Sequence, residues 1–426
     1  MPLRRHRRRA VVAAVALAGT LIGCTATGAP INNGADGSTG TVRALFATDA
    51  GYTENDIDTM IRDFEKKNPR VIVKPTYVTY SALHDKIVTA APTGAYDVVH
   101  MDVVWPAEFA STGIVDDVTN RVPKSWSNEM LGGALNSALV DGKWYGVPWE
   151  PSSKLLFYNS DMLKRVGASP SDLNSWSGLL TVAKKLKRAD IVRYPLSWSW
   201  SQSEALVCDF TQLLGSFGGQ FDADEASLGV NSKASLATLR WMKSTIDEGL
   251  TDPASLSYVE DDVNKALSSQ NAAIGLNWNS TFSALTDASQ SSIAKSVGVL
   301  PTPVGTASTR MSVNGSMSLA VTRSSQKKAA AWKFIEFVTS RSVQQRFADD
   351  SPPNWKASYS DPSVVKTNPS LIKASASAYD SMISRPQIAG YNAVSRILQV
   401  QLQKALLGQK SPKSALDDAA AQIEKL

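Results

Sequence analysis

Cysteine and histidine are scarce in this chain, whose 426 residues include two cysteines and three histidines. A histidine-based catalytic triad could use only His84 or His100 beyond the N-terminal segment, and His100 lies in a predicted buried strand, which favours a core histidine. The patterns G-x-S-x-G, G-x-G-x-x-G and G-x-x-x-x-G-K-[ST] do not occur in the sequence. The sequence therefore gives no local support to a nucleophile elbow, a dinucleotide site or a P-loop, and we expect no catalytic residue and no cofactor.

The chain after residue 24 also lacks an excess of charge of either sign. The formal charge is +5, from 44 Lys and Arg against 39 Asp and Glu. That excess equals the arginines that precede residue 24, namely Arg4, Arg5, Arg7, Arg8 and Arg9. The rest of the chain is neutral, so we expect no nucleic-acid partner.

The N-terminal segment has the order of charges and apolar residues typical of an export signal. An apolar run follows the arginines over residues 10–23, and Leu21-Ile22-Gly23-Cys24 resembles the bacterial lipobox, in which the cysteine carries the lipid. We predict a lipoprotein signal peptide over 1–23, and Cys24 with a Gly-rich tether over 24–40. An ordinary secretory signal stays open as the alternative, as does twin-arginine export. A lipidated Cys24 would leave Cys208 without a disulfide partner and too few ligands for a Cys/His metal site.

The N-terminal part of the mature chain predicts a β-α-β-α-β unit with a parallel sheet. Its third strand, 96–102, is an apolar run that ends at Asp102, and ligands of open α/β sheets bind at the carboxyl ends of strands. Trp105 follows closely, and Pro106 begins a short helix. Asp102 and Trp105 are therefore candidate ligand-binding residues. The alternative is that Asp102 caps the helix and Trp105 packs in the core.

Later segments predict a second α/β unit. We predict a helix over 126–139, then strands on both sides of the polar and aromatic segment 149–153. Trp198 and Trp200 alternate with serines, so both indoles would face one side, either in a site or in a core. We predict a strand over 272–278 that ends with Asn277 and Trp278. The last third of the chain is predicted to be helical.

Taken together, these segments resemble the extracellular solute-binding proteins of the sugar-binding class 1 type, which supply ATP-driven importers. The resemblance covers nearly all of the mature chain. It rests on the lipobox, YDVVHMDVVWPAEFASTGIVDDVT, WYGVPWEPSSKLLFYNSDMLKRVG, the W-x-x-L helix at Trp176, AAIGLNW, GSMSLAVTRSSQKKAAAWKFIEFVTS, and RPQIAGYNAVSRILQ with the C-terminal SPKSALDDAAAQIEKL.

The resemblance implies an α/β, two-lobed periplasmic-binding-protein-like fold of type II with a hinge between the lobes. We expect the first lobe over 41–158 and about 301–350, the second over 159–300, and a C-terminal helical part over 351–426 that packs across both. Ligand-binding positions implied by the resemblance are Asp49, Asp102, Glu150, Ser152, Trp200, Glu260, Asn277, Trp278, Asn314, Gly315 and Arg385.

The function implied is that of a substrate-binding lipoprotein of an ABC importer for a disaccharide or short oligosaccharide of the trehalose or maltose type. The expected partners are the sugar, the permease subunits and the outer face of the cytoplasmic membrane through Cys24, and we expect a monomer. Two alternatives stay open: a secreted glycoside-active enzyme that uses paired carboxylates such as Asp102 with Glu150 or Glu260, and an envelope lipoprotein without a transport role.

Overall fold

The computed structural model describes residues 37–306 and 310–426. The predicted signal peptide, Cys24 and most of the predicted tether lie outside these ranges. The strands are β1 (Gly40–Ala47), β2 (Val71–Val78), β3 (Val98–Asp102), β4 (Leu139–Val140), β5 (Lys143–Trp144), β6 (Val147–Glu150), β7 (Lys154–Asn159), β8 (Leu196–Ser197), β9 (Ile274–Trp278), β10 (Val297–Leu300), β11 (Ser312–Val313), β12 (Met317–Val321) and β13 (Met382–Ile383).

Helices cover the sheets and form most of the C-terminal part. The α-helices are α1 (Glu54–Lys67), α2 (Tyr80–Ala90), α3 (Pro106–Ser111), α4 (Trp126–Glu129), α5 (Gly132–Leu135), α6 (Ser160–Arg165), α7 (Trp176–Arg188), α8 (Glu204–Ser216), α9 (Lys233–Asp247), α10 (Glu260–Ser268), α11 (Thr281–Thr286), α12 (Lys328–Val338), α13 (Arg341–Arg346), α14 (Pro362–Val365), α15 (Pro369–Tyr379), α16 (Tyr391–Leu406) and α17 (Pro412–Ile423). Short 3₁₀ helices span Ala91–Thr93, Pro170–Leu173, Pro253–Ser257 and Lys356–Ser360.

A five-stranded sheet with the order β2-β1-β3-β12-β6 forms the centre of the first lobe. β1 pairs in parallel with β2 and β3, which confirms the predicted β-α-β-α-β unit, whereas β12 runs antiparallel to β3 and β6. Alternate residues of β1 enter two different cores: Phe46 packs on one face of the sheet and Leu45 on the other. Because both faces of the central strands are covered, β3 and β12 are buried along their whole length.

A four-stranded sheet with the order β10-β7-β9-β8 forms the centre of the second lobe. The expected first lobe over 41–158 includes β7, but β7 pairs with β9 and β10 in the second sheet, so the expected boundary lies too late. The chain leaves the first sheet after Glu150 and enters the second at Lys154. The periodicity of the segment cannot show which sheet β7 joins, because a strand buried on both faces has the same pattern in either sheet.

Two chain crossings lie side by side between the sheets. Residues 151–153 connect β6 to β7, and the return path passes through β11 to β12. An isolated bridge pairs Ser153 with Asn314, and the Gly315 N–H donates to the Ser152 carbonyl at 3.0 Å. Few backbone links therefore join the lobes here, which is the arrangement expected of a hinge.

The predicted helix over 126–139 is wrong. The segment forms two four-residue helices, α4 and α5, separated at Met130, whose extended backbone makes a bridge with Trp355. Gly132 and Gly133 follow directly, and glycine weakens helix interiors. Within residues 37–306 and 310–426, no helix combines the length and the apolar character needed to span a bilayer.

Candidate functional site

A cavity of about 540 Å³ lies between the two sheets, and we call it the cleft. Several strands of the first sheet contribute their ends to it: Asp49 follows β1, Tyr80 follows β2, and Asp102 and Glu150 end β3 and β6. Trp278 ends β9 on the opposite side. The predicted residues that line the cleft are Asp49, Asp102, Trp105, Glu150, Ser152, Glu260, Trp278, Gly315 and Arg385.

A buried guanidinium crosses the floor of the cleft. Arg385 donates from Nη1 to Glu204 Oε1 at 2.7 Å and from Nη2 to Asp102 Oδ1 at 3.0 Å. Tyr80 donates to the other oxygen of Asp102, and Tyr391 donates to Glu204. Burial lowers the pKa of Arg385, but the charges of Asp102 and Glu204 outweigh it and raise that pKa above its ordinary value. One cation thereby links the two sides of the cleft.

A buried ammonium and a carboxylate hold the indole of Trp278. Its Nε1 donates to Glu260 Oε1 at 3.1 Å, and Lys154 Nζ lies 3.3 Å from the same oxygen and 5.1 Å from the indole centroid. Lys154 also donates to Asp209 Oδ1 at 2.7 Å. Gly315 lies so close that a Cβ there would come within 2.4 Å of the indole, so a larger residue would displace the ring. The indole is therefore presented to the cleft in one orientation.

Glu150 is a buried carboxyl group next to a buried histidine. Its Oε1 accepts from the Tyr52 N–H at 3.3 Å, and its Oε2 lies 3.6 Å from His100 Nε2. Burial raises the pKa of Glu150 well above its ordinary value and lowers the pKa of His100 to about 3. His100 Nδ1 accepts from the Ala47 N–H at 3.4 Å, which leaves the ring proton on Nε2. Burial therefore favours the neutral form of both groups.

Glu150→Gln should stabilise the ligand-free protein at neutral pH and have little effect at about pH 4. Glutamate in the unfolded chain ionises near pH 4.3, whereas burial raises the pKa of folded Glu150 well above that value. Above that pH the folded state therefore loses stability, by at most about 1.4 kcal/mol per pH unit up to the raised pKa, and glutamine removes this loss. Chemical denaturation of both proteins across this range measures the difference, and a difference that is constant with pH would contradict the prediction.

Three predicted residues do not line the cleft, and each has a structural reason. Trp200 is fully buried, stacks on Trp198 with centroids 5.5 Å apart, and donates to Asp209 Oδ2 at 3.1 Å. The pair of indoles therefore belongs to the core, which was the alternative interpretation of its period-two spacing.

Asn277 and Asn314 are the other two. Asn277 donates to the Glu260 carbonyl at 2.9 Å and accepts from the Trp278 N–H at 2.8 Å. Asn314 donates to the Gly133 carbonyl at 2.7 Å and accepts from the Ser316 N–H at 3.0 Å. Both amides form hydrogen bonds with backbone groups, so Asn277 and Asn314 stabilise the segments that carry Trp278 and Gly315.

Several residues of the cleft are not among the predicted ones. Tyr80 begins α2 directly after a strand end, a position that could have marked it. Glu204 begins α8 and resembles any acidic residue in the first turn of a helix. Its contact with Arg385 is a tertiary one, which the sequence around Glu204 does not indicate. His84, Gln202, Arg396 and Gln399 also line the cleft.

Two lobes around a hinge, with a cleft lined by aromatic and charged side chains, define a solute-binding protein of type II. Residues 41–345 match the family model described as bacterial extracellular solute-binding protein, and the chain belongs to that family. The resemblance inferred from the sequence is thereby confirmed.

Named relatives agree with this assignment. An ABC transporter-binding protein of Deinococcus radiodurans is 25% identical over 78% of this chain and 80% of its own length. The maltose-bound MalE3 of T. maritima superimposes with a TM-score of 0.83 at 27% identity, covering 90% of this chain and 99% of that one. The GacH receptor of Streptomyces glaucescens, solved unliganded and with acarbose, gives a TM-score of 0.79 at 26% identity over 91% and 98% of the two chains.

Proposed function

We propose that this protein is the substrate-binding lipoprotein of an ABC-type carbohydrate importer and takes no catalytic part in the fate of its ligand. The observation that carries the proposal is the oriented indole of Trp278, which faces a cleft that also holds the Arg385–Asp102 pair. A pyranose has an apolar face that an indole covers, and hydroxyls that guanidinium and carboxylate groups bind. The similarity to a maltose-bound protein supports a ligand of disaccharide or short oligosaccharide size, of the trehalose or maltose type.

Closure about the hinge would complete the site. A ligand shifts the equilibrium toward the closed form only to the extent that it binds that form better. Groups from both lobes line the cleft, so a ligand that contacts both favours closure. The closed complex would then be the form that the permease receives.

Anchoring through a lipid on Cys24 is part of the proposal. Cys24 lies outside the described residues, and the support is the lipobox-like Leu21-Ile22-Gly23-Cys24. Mass spectrometry of the N-terminal peptide from membranes tests it: an unmodified Cys24, or cleavage elsewhere, would refute the anchor and leave the binding function untouched.

A thermal-shift panel tests the function. Trehalose, maltose, maltodextrins, cellobiose, xylobiose and monosaccharides would each be added to the mature protein in millimolar excess. A ligand at a thousandfold excess over its Kd contributes about 4 kcal/mol, which raises the transition by several degrees. Folded protein that responds to no sugar would refute the proposal, and release of monosaccharide on prolonged incubation would favour the glycoside-active enzyme instead.

Trp278→Ala should weaken binding of the sugar found in that panel by about 1–3 kcal/mol, because the variant loses the aromatic surface against the pyranose. Isothermal titration calorimetry measures the loss. Trp126→Ala is the matched control, since Trp126 packs on Trp355 and does not line the cleft. Equal affinities for the Trp278→Ala variant and the wild type would show that the indole does not contact the ligand.

A further inference from the structure

The cleft carries more negative than positive charge. Among the described residues, seven acidic side chains line it, against His84, Arg385 and Arg396, and Arg396, which forms no salt bridge there, offsets one carboxylate. Burial favours the neutral form of Glu150, so the excess does not depend on its charge. Asp85 lies 3.2 Å from His84. The excess that remains is due to the residues at the floor of the cleft and at its two sides.

The buried cations at the floor cannot balance this charge, because each is shared by two carboxylates. Arg385 binds both Asp102 and Glu204. Lys154, which lies beneath Glu260, binds both Glu260 and Asp209. Each of these clusters therefore retains one net negative charge.

Two further carboxylates face the cleft without a cation. Asp49 follows β1 on the first lobe, and Asp261 lies in the first turn of α10 on the second. Within the described residues neither forms a salt bridge, and Asp49 accepts one hydrogen bond, from the Tyr80 N–H at 2.7 Å. Desolvation in the cleft raises the pKa of Asp49, and the charges of Asp261 and Glu260 raise it further. Asp49 of the first lobe and Asp261 and Glu260 of the second therefore bring like charges to the same cavity.

Unpartnered donors in the same cleft indicate that a ligand belongs there. Trp105 is 2% exposed and lines the cleft, and its Nε1 has no hydrogen-bond partner among residues 37–306 and 310–426. Nε of Arg385 is likewise buried, with no partner in the part of the chain that the structure describes. Buried donors of this kind are normally satisfied, and hydroxyl oxygens of a ligand would satisfy them.

We infer that the ligand is an amino sugar, which carries a protonated amine as well as hydroxyl groups. The inference rests on the proposed sugar-binding function and narrows its substrate class. Hydroxyl groups of a neutral sugar can donate to Asp49, Asp261 and Glu260 but leave their negative charge uncompensated, whereas an ammonium group among them donates hydrogen bonds and also compensates the charge. Closure with the cationic ligand therefore places a positive charge among these carboxylates.

Calorimetric titration of the mature protein with matched sugar pairs tests the inference. Each pair has one framework and differs at C2: trehalose with 2-amino-2-deoxytrehalose, cellobiose with the β-1,4-linked dimer of glucosamine, and glucose with glucosamine. We expect the amine to bind at least about tenfold more tightly than the hydroxyl compound in the pair that binds. Equal or weaker binding of the amine would overturn the inference and leave the sugar receptor intact. Failure of both members of every pair would overturn the inference alone, whereas folded protein that also responds to no sugar of the thermal-shift panel would overturn the proposed function.

Charge-neutralising variants identify the groups responsible. The double variant Asp49→Asn with Asp261→Asn should reduce the preference for the amine severalfold, because both substitutions keep the shape of the side chain and remove its charge. Asp161→Asn is the control, since Asp161 is 66% exposed, pairs with Lys164 and does not line the cleft. The ratio of the two affinities is the readout because a general loss of folding does not change it. An unchanged ratio in the double variant would overturn the assignment.

Discussion

Replacing Lys154 by methionine should lower the free energy of unfolding by about 3–5 kcal/mol, the cost of breaking a buried ion pair by removing one partner. Lys154 is completely buried at the start of β7. Burial lowers its pKa, but the charges of Asp209 and Glu260 outweigh this effect and raise the pKa above its ordinary value. Methionine fills a similar volume without a charge, so Asp209 would remain buried with no cation near it. Chemical denaturation of the ligand-free protein measures the change.

Two further variants separate the charge from the packing. Adding Asp209→Asn to Lys154→Met should recover part of the loss, because the buried charge left behind is then removed. Lys164→Met is the surface control: Lys164 is 73% exposed and pairs with exposed Asp161 at 3.0 Å, an arrangement that contributes at most about 1 kcal/mol. If Lys154→Met were as mild as Lys164→Met, the cluster under Trp278 would not stabilise the fold.

Lys154 also shows what the sequence could and could not predict. The run that follows it, Leu155 to Tyr158, is apolar, and this pattern correctly predicts a buried strand. The pattern cannot show that the preceding lysine is buried as well, because its partners Asp209 and Glu260 come from helices much later in the chain. Burial of a charge is decided by tertiary contacts, for which local periodicity carries no signal.

Strand ends were the most informative positions in the sequence. Asp102 and Trp278 were placed at the ends of predicted strands, and both line the cleft. Trp200 was assigned from the resemblance, and it belongs to the core because the indoles of this segment point into the second lobe. Alternation along a strand shows that two side chains share a face, but it does not show whether that face borders a cleft or a core.

The C-terminal part of the chain provides the group that joins the lobes. Asp102 ends β3 in the first lobe and Glu204 begins α8 in the second, and Arg385 reaches both from the segment between β13 and α16. Its side chain is 1% exposed. Two separate nitrogens serve two separate carboxylates, so the planar geometry of guanidinium matters as much as its charge.

Arg385→Lys should weaken ligand binding by about 10- to 100-fold, because a single ammonium cannot occupy the positions of Nη1 and Nη2 together and Asp102 or Glu204 loses its partner. Arg385→Met should in addition lower the free energy of unfolding by about 3–5 kcal/mol, since it leaves the buried carboxylate of Asp102 uncompensated. Calorimetric titration with the bound sugar gives the first quantity and chemical denaturation the second.

The control for this pair of variants is Arg341→Lys, because Arg341 is 47% exposed and its Nη2 lies 3.5 Å from Asp361 outside the cleft. That variant should change neither affinity nor stability by more than about 0.5 kcal/mol. Loss of stability without loss of affinity in Arg385→Lys would mean that the guanidinium supports the fold alone. Loss of affinity with unchanged stability would mean that Arg385 acts on the ligand directly, and that its contacts with Asp102 and Glu204 serve to hold it in place for that purpose.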